Sequence, residues 1–288
     1  MVTRPMQRAI DVNHLGRDRV ICAYETSGVI VDPGPTSSLE TLLEALEDDE
    51  PQALLLTHIH LDHAGAAGVL CRKFPHLKVY VHIRGARHLA DPSRLLASAE
   101  RLYGDKMDYL WGEFAPVPEE RIVALEGGER IEGGFHVEYT PGHASHHVSY
   151  YDEVTGDAYV GDVCGVRIPP HEYVIAPTPP PDIDVEAWMR SLDVITSWRP
   201  RGLCLTHFGR FEDVPEHLER IRESLALRSE RSRVLDADAF NEWSEAEVRA
   251  AVDAETAESL LQAAVPDQMG AGLRRYWDKR NEREQAVR

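Results

Sequence analysis

The chain is poor in the features that would assign it quickly. Only four of its 288 residues are cysteine. Cys22, Cys71, Cys164 and Cys204 are scattered without C-x-x-C spacing, which excludes a disulfide framework and a thiolate zinc site and fits a reducing compartment. No apolar run approaches the ~18 residues of a membrane-spanning helix. The opening MVTRPMQRAIDVNHLG lacks the apolar core of a secretory signal, so a cytoplasmic protein is expected. Basic residues are outnumbered, 31 Lys and Arg against 49 Asp and Glu, for a net charge of −18. That balance argues against nucleic acid or an anionic membrane as partner and leaves a small-molecule substrate. A homo-oligomer stays open. There is no internal repeat, and no G-x-S-x-G elbow for a serine nucleophile.

What is present is an alternation of short apolar strands and helical stretches. Strands are expected at 20–24, 28–31, 53–56, 78–82, 122–125, 135–139, 147–151, 158–160 and 202–205. Helices are expected at 36–47, 64–74 and 185–198. The proline-rich segment 168–181 excludes helix or central strand and reads as a long loop. After Phe211 the pattern turns helical. Val214, Leu218, Ile221 and Leu225 share one face, Ser244-Glu-Ala-Glu247 has the form of a capping box opening a second helix, and Leu273, Tyr276 and Trp277 indicate a third. Residues 1–211 are therefore expected to form the catalytic domain and 212–288 a helical extension packed on it.

The stretch LLLTHIHLDHAG, residues 54–65, sets three histidines and an aspartate at the end of a buried-strand pattern. In His58-x-His60 the imidazoles share one side of an extended segment. Asp62 and His63 follow where the chain turns into a helix. Two diverging ligand pairs suit two adjacent metals better than one, whereas a merely polar loop would leave several groups with a costly desolvation. Further donors follow strands in the same manner: His143 in TPGH, Asp162 in YVGD and His207 in LTHFG.

VDPGP at Asp32, THIHLDHAG, TPGH, GD and THFG, in this order, resemble the metallo-β-lactamase superfamily. The resemblance implies an α/β fold, a four-layer αββα sandwich, here with a C-terminal helical extension. It also implies that His58, His60 and His143 bind one metal, Asp62, His63 and His207 a second, and that Asp162 bridges them. Asp32 would orient the ligand loop without touching metal. Imidazole and carboxylate donors suit two divalent ions such as Zn²⁺, with Fe or Mn also compatible.

The activity implied is hydrolysis of an ester, thioester or lactone by a metal-bridging hydroxide, with Asp62 also steering the water's proton. A mononuclear-iron persulfide dioxygenase and a phosphodiesterase are the alternatives. The full second ligand set and His60, where flavodiiron members have Glu, place the chain beside glyoxalase II-like and lactonase-like members. It departs from both after Asp162: GDVCGVRIPPHEY lacks the glyoxalase II loop, and Gly165 stands where lactonases tend to have Tyr. Tyr173 and Arg167 are candidate substrate contacts, with loop packing as the competing reading.

Overall fold

A computed structural model describes residues 7–47 and 49–286. Residues 1–6, on which part of the reading of the N-terminal segment rests, lie outside them. The chain divides into two compact units. One runs to Tyr139 and includes Val148–Thr155, and the other comprises Thr140–His147 and the chain from Gly156 onward. The strands form two sheets.

The first unit contains β1 (Arg8–Asp11), β2 (Cys22–Thr26), β3 (Val29–Val31), β4 (Ala53–Leu55), β5 (Lys78–His82) and β6 (Ile122–Leu125) as neighbours in that order. β1–β2–β3 are antiparallel; β3–β4–β5–β6 are parallel. The parallel strands explain the unbroken apolar runs: β3 and β4 are buried at every position, because a parallel sheet is covered on both faces. Helices α1 (Leu39–Leu46), α2 (Leu61–Ala64), α3 (Ala67–Lys73), α4 (Ile83–Ala90), α5 (Ser93–Tyr103) and α6 (Met107–Trp111) complete this unit with the antiparallel β7 (Arg130–Ile131), β8 (Phe135–Tyr139) and β9 (Val148–Asp152). Its core holds Ile21, Ile30, Leu54, Leu70, Val79 and Leu89.

The second unit contains β10 (Asp157–Tyr159), parallel to β11 (Gly202–Leu205), which pairs antiparallel with β12 (Gly209–Phe211). Between β10 and β11 runs α7 (Val185–Trp198), opened by Asp184, whose side chain accepts from the Ala187 N–H. Four helices follow: α8 (Val214–Val234), α9 (Ala237–Ala251), α10 (Ala254–Ala263) and α11 (Pro266–Ala286). Trp188, Leu192, Ile195, Leu225, Phe240 and Leu273 fill the core.

The mixed α/β architecture and the helical C-terminal region are as expected, and β5, β6, β8, β11 and α7 have the expected bounds. Three strands, β1, β7 and β12, were not foreseen. The expected capping box is a correction. Helix α9 opens eight residues earlier, at Asp236, whose carboxylate caps the Ala239 N–H, and Ser244 lies buried inside the helix. The region contains four helices where three were expected.

Candidate metal centre

In parallel sheets, ligands gather beyond the carboxyl ends of the strands, and both units place their donors there. In the first, Asp32 directly follows β3, and Thr57–His63 follow β4 and turn into α2. The DPGP turn grips that corner from behind. Gly34 N–H donates to the His63 carbonyl at 3.2 Å, and Ala66 N–H donates to the Gly34 carbonyl at 2.9 Å. Gly65 is required at the end of α2 because a Cβ there would lie 2.9 Å from the Pro35 Cα.

Asp32 is fully buried and organises the cluster. Its carboxylate accepts from the Thr57 N–H at 2.8 Å, the Thr57 hydroxyl at 2.7 Å and His63 Nδ1 at 2.8 Å. With Nδ1 donating, His63 presents Nε2 as its free-electron-pair face. The Thr57 hydroxyl proton is committed to Asp32, so His58 Nδ1, 3.1 Å from Thr57 Oγ1, is the donor of that pair. His58 is thereby also set with Nε2 as the nitrogen open to accept. That Nε2 lies 2.9 Å from His60 Nδ1, a spacing close to the roughly 3.4 Å between donors on one tetrahedral ion with ~2.05 Å bonds. His58 also has a ligand nitrogen within 4.8 Å of one on His63. Asp62, a quarter exposed, brings a carboxylate oxygen to 3.8 Å from His63 Nε2.

In the second unit, Asp162 and His207 each lie three residues beyond the register pair Tyr159–Cys204 of the parallel strands β10 and β11. The equal offset brings them together. His207 Nε2 is 3.5 Å from Asp162 Oδ1, while His143 Nε2 is 3.3 Å from Asp162 Oδ2. His143 Nδ1 donates to the Pro177 carbonyl at 2.9 Å, again turning Nε2 inward. All three side chains are at most 5% exposed. Each oxygen of one buried carboxylate thus faces a different imidazole nitrogen, a grouping of donors that could hold cations.

Several of the side chains that support these donors were not read from the sequence. Trp188 of α7 is fully buried; its indole N–H donates to the Val163 carbonyl at 2.6 Å, and its ring meets His143 edge-on at 5.6 Å. Gly142 has φ +140° and leaves no room for a Cβ against the Trp188 backbone, 2.3 Å away. His217 of α8 donates from Nε2 to the Cys164 carbonyl at 2.8 Å, and burial holds its pKa down at about 4. Thr140 pairs with His147 Nδ1 at 3.0 Å. A local signal is a threonine immediately ahead of a candidate ligand histidine, at Thr57 and Thr206; both are buried.

Arg167 and Tyr173, the candidate substrate residues, each have side-chain partners within the second unit. Arg167 forms an ion pair with both oxygens of Asp213 at 2.8 and 2.9 Å, donates to the His171 carbonyl and lies over the Phe211 ring. The Tyr173 hydroxyl accepts from Arg228 at 2.8 Å. His171 meets Asp253 at 2.7 Å.

The family model described as Metallo-beta-lactamase superfamily matches residues 20–207. The chain belongs to this superfamily. Among solved structures it is similar to ST1585 of Sulfolobus tokodaii, an archaeal member, with a TM-score of 0.70, 25% identity, and coverage of 96% of this chain and 99% of that one. The same protein, there assigned to Sulfurisphaera tokodaii and described as a metallo-beta-lactamase fold-containing protein, is 29% identical over 212 residues, 70% of this chain and 77% of its own. A hydroxyacylglutathione hydrolase from an Enterobacter species is 33% identical over 142 residues. The alignment takes in 48% of this chain and less than half, 44%, of that enzyme. TTHA1623, solved in a di-iron-bound form, aligns at a TM-score of 0.54 with 27% identity over 70% of this chain and 93% of its own. No helix among the described residues is long and apolar enough to cross a membrane.

Proposed function

We propose that these donors hold two metal ions and that the protein is a metal-dependent hydrolase of an ester, thioester or lactone. His58, His60 and His143 would hold one ion, Asp62, His63 and His207 the other, with Asp162 shared. The observation that carries this reading is the Asp162 carboxylate, with one imidazole nitrogen opposite each of its oxygens. A carboxylate shared by two metals would meet a ligand histidine of each ion on either side. The donor set of five imidazoles and two carboxylates fits zinc, and the di-iron form of TTHA1623 supports iron as a second candidate.

Two bound divalent ions would supply Lewis acidity toward a carbonyl oxygen and an acidified water. The chain's own part is orientation. Asp32 and Thr57 fix the tautomers of His63 and His58, Pro177 fixes that of His143, and α7 holds the Val163 carbonyl beside Asp162. Asp62, a quarter exposed, would take the proton of an attacking water. The likeness to a hydroxyacylglutathione hydrolase supports an acyl substrate. The chemistry is assigned to residues 1–211, with 212–288 as an extension that supports it. A cytoplasmic setting is proposed with it, since the four buried cysteines form no disulfide.

A panel of thioesters, lactones, simple esters, a phosphodiester and a persulfide tests the class. Hydrolysis of at least one acyl substrate, lost by about 10³-fold or more in Asp162→Asn, is expected. Oxygen uptake on the persulfide or turnover of the phosphodiester alone would replace the reading.

A further inference from the structure

The segment 176–181 is held from both sides by the C-terminal helices. The Ala176 N–H donates to Ser224 Oγ of α8 at 3.0 Å. Thr178 is fully buried, and its hydroxyl donates to the Met269 carbonyl of α11 at 3.1 Å. Arg275 and Lys279, farther along α11, both donate to the Pro181 carbonyl at 3.2 Å. The closest approach is at Gly272. A Cβ built there would lie 2.0 Å from the Thr178 carbonyl oxygen, 2.8 Å from the Pro179 carbonyl carbon and 2.9 Å from the Pro180 nitrogen. Gly272 sits inside α11 without a positive φ. Helix geometry therefore does not require glycine there, and alanine would ordinarily favour the helix. The requirement comes from the backbone it touches.

In the middle of this clamped segment lies Pro177, whose carbonyl accepts from His143 Nδ1. Proline limits the freedom of the segment on either side, at Pro177 and Pro179–Pro181, so displacement at Thr178 is transmitted to its neighbour rather than absorbed. We propose that α11 is a positioning element of the metal centre: its close contact at Gly272 and its tether at Thr178 set the Pro177 carbonyl that orients His143. The inference rests on the reading of His143 as a ligand. It gives the C-terminal helices a role in metal binding, and Gly272 a role no ligand motif reveals.

The test is a Co²⁺ titration of chelator-stripped protein, following both affinity and the visible d–d spectrum. The variants are Gly272→Ala, Thr178→Val, which deletes the tether at nearly constant volume, and His143→Ala. Leu260→Ala, a buried position on α10, serves as a control for destabilisation in the same helical region. Gly272→Ala and Thr178→Val are expected to bind one Co²⁺ equivalent about 10-fold or more weakly, with an altered spectrum. Leu260→Ala should load like wild type below its melting transition. If Gly272→Ala does not fold, Thr178→Val decides alone. Wild-type loading by the folded Gly272→Ala or Thr178→Val, with a lost equivalent in His143→Ala, overturns the positioning role while leaving the ligand in place. Equal weakening by Leu260→Ala overturns it as well, since the effect would then be general destabilisation. Wild-type loading by His143→Ala overturns the ligand assignment itself.

Discussion

Asp32 shows how much of the centre depends on a side chain assigned no metal. It occupies the left-handed region at φ +47°, which aspartate tolerates better than most residues. From there its two oxygens accept three hydrogen bonds, from both donors of Thr57 and from His63. Asparagine would keep the shape but set an amide N–H₂ against one of these donors. Asp32→Asn is expected to weaken metal binding about 10–100-fold, measured by competition with a chromophoric chelator. An affinity within about twofold of wild type would show that the tautomers of His58 and His63 are set by something else.

The elements divide by how locally they are specified. Helix α7 and strands β5, β8 and β11 are legible because each has a complete apolar pattern ended by a local stop, such as Asp184 before α7. The candidate ligands stand out for a different reason: each alone could be a capping or surface residue, but H-x-H-x-D-H, His143, Asp162 and His207 form an ordered set of donors, each just past a strand. Strand β1 was not legible, since only Ile10 of Arg8–Asp11 is buried and its pairing with β2 is what makes it a strand. The start of α9 was missed because Ser244-x-x-Glu247 matches a cap, yet both residues bond Arg228, a buried side chain of another helix. Trp188, Pro177 and Gly272 escaped for the same reason: their partners lie tens of residues away, and nothing in their local sequence marks them. Trp188 links α7 to the Asp162 turn, so Trp188→Phe should leave the Val163 carbonyl without its indole donor. Together with the volume lost, a decrease of at least about 2 kcal/mol in unfolding free energy is expected from urea titration. A change below about 0.5 kcal/mol would remove α7 from the account of the site.

At the level of the whole molecule, stability should respond to acid in a defined direction. Burial holds both His82 and His217 near pKa 4, below the ordinary 6.5, with Arg84 and Arg167 adding to the effect. Above about pH 6.5 neither state binds these protons. Between 6.5 and 4 the unfolded chain takes them up while the folded one does not, so stability falls as pH falls through this window. For His217, nearly fully buried, the difference amounts to about 3 kcal/mol at pH 4. Metal-free His217→Gln is expected to lose part of the acid-dependent decline in Tm seen for metal-free wild type, and parallel profiles would contradict the assignment. The charge of −18 adds a background that both proteins share and that cancels in the comparison. The central claim, a hydrolase whose chemistry needs two ions sharing Asp162, is tested most directly by adding metal stepwise to chelator-stripped protein and recording hydrolysis of the best acyl substrate at each equivalent. Little activity at one equivalent and a maximum at about two is the predicted result. Full activity at one equivalent, or activity that persists in the stripped protein, would contradict it.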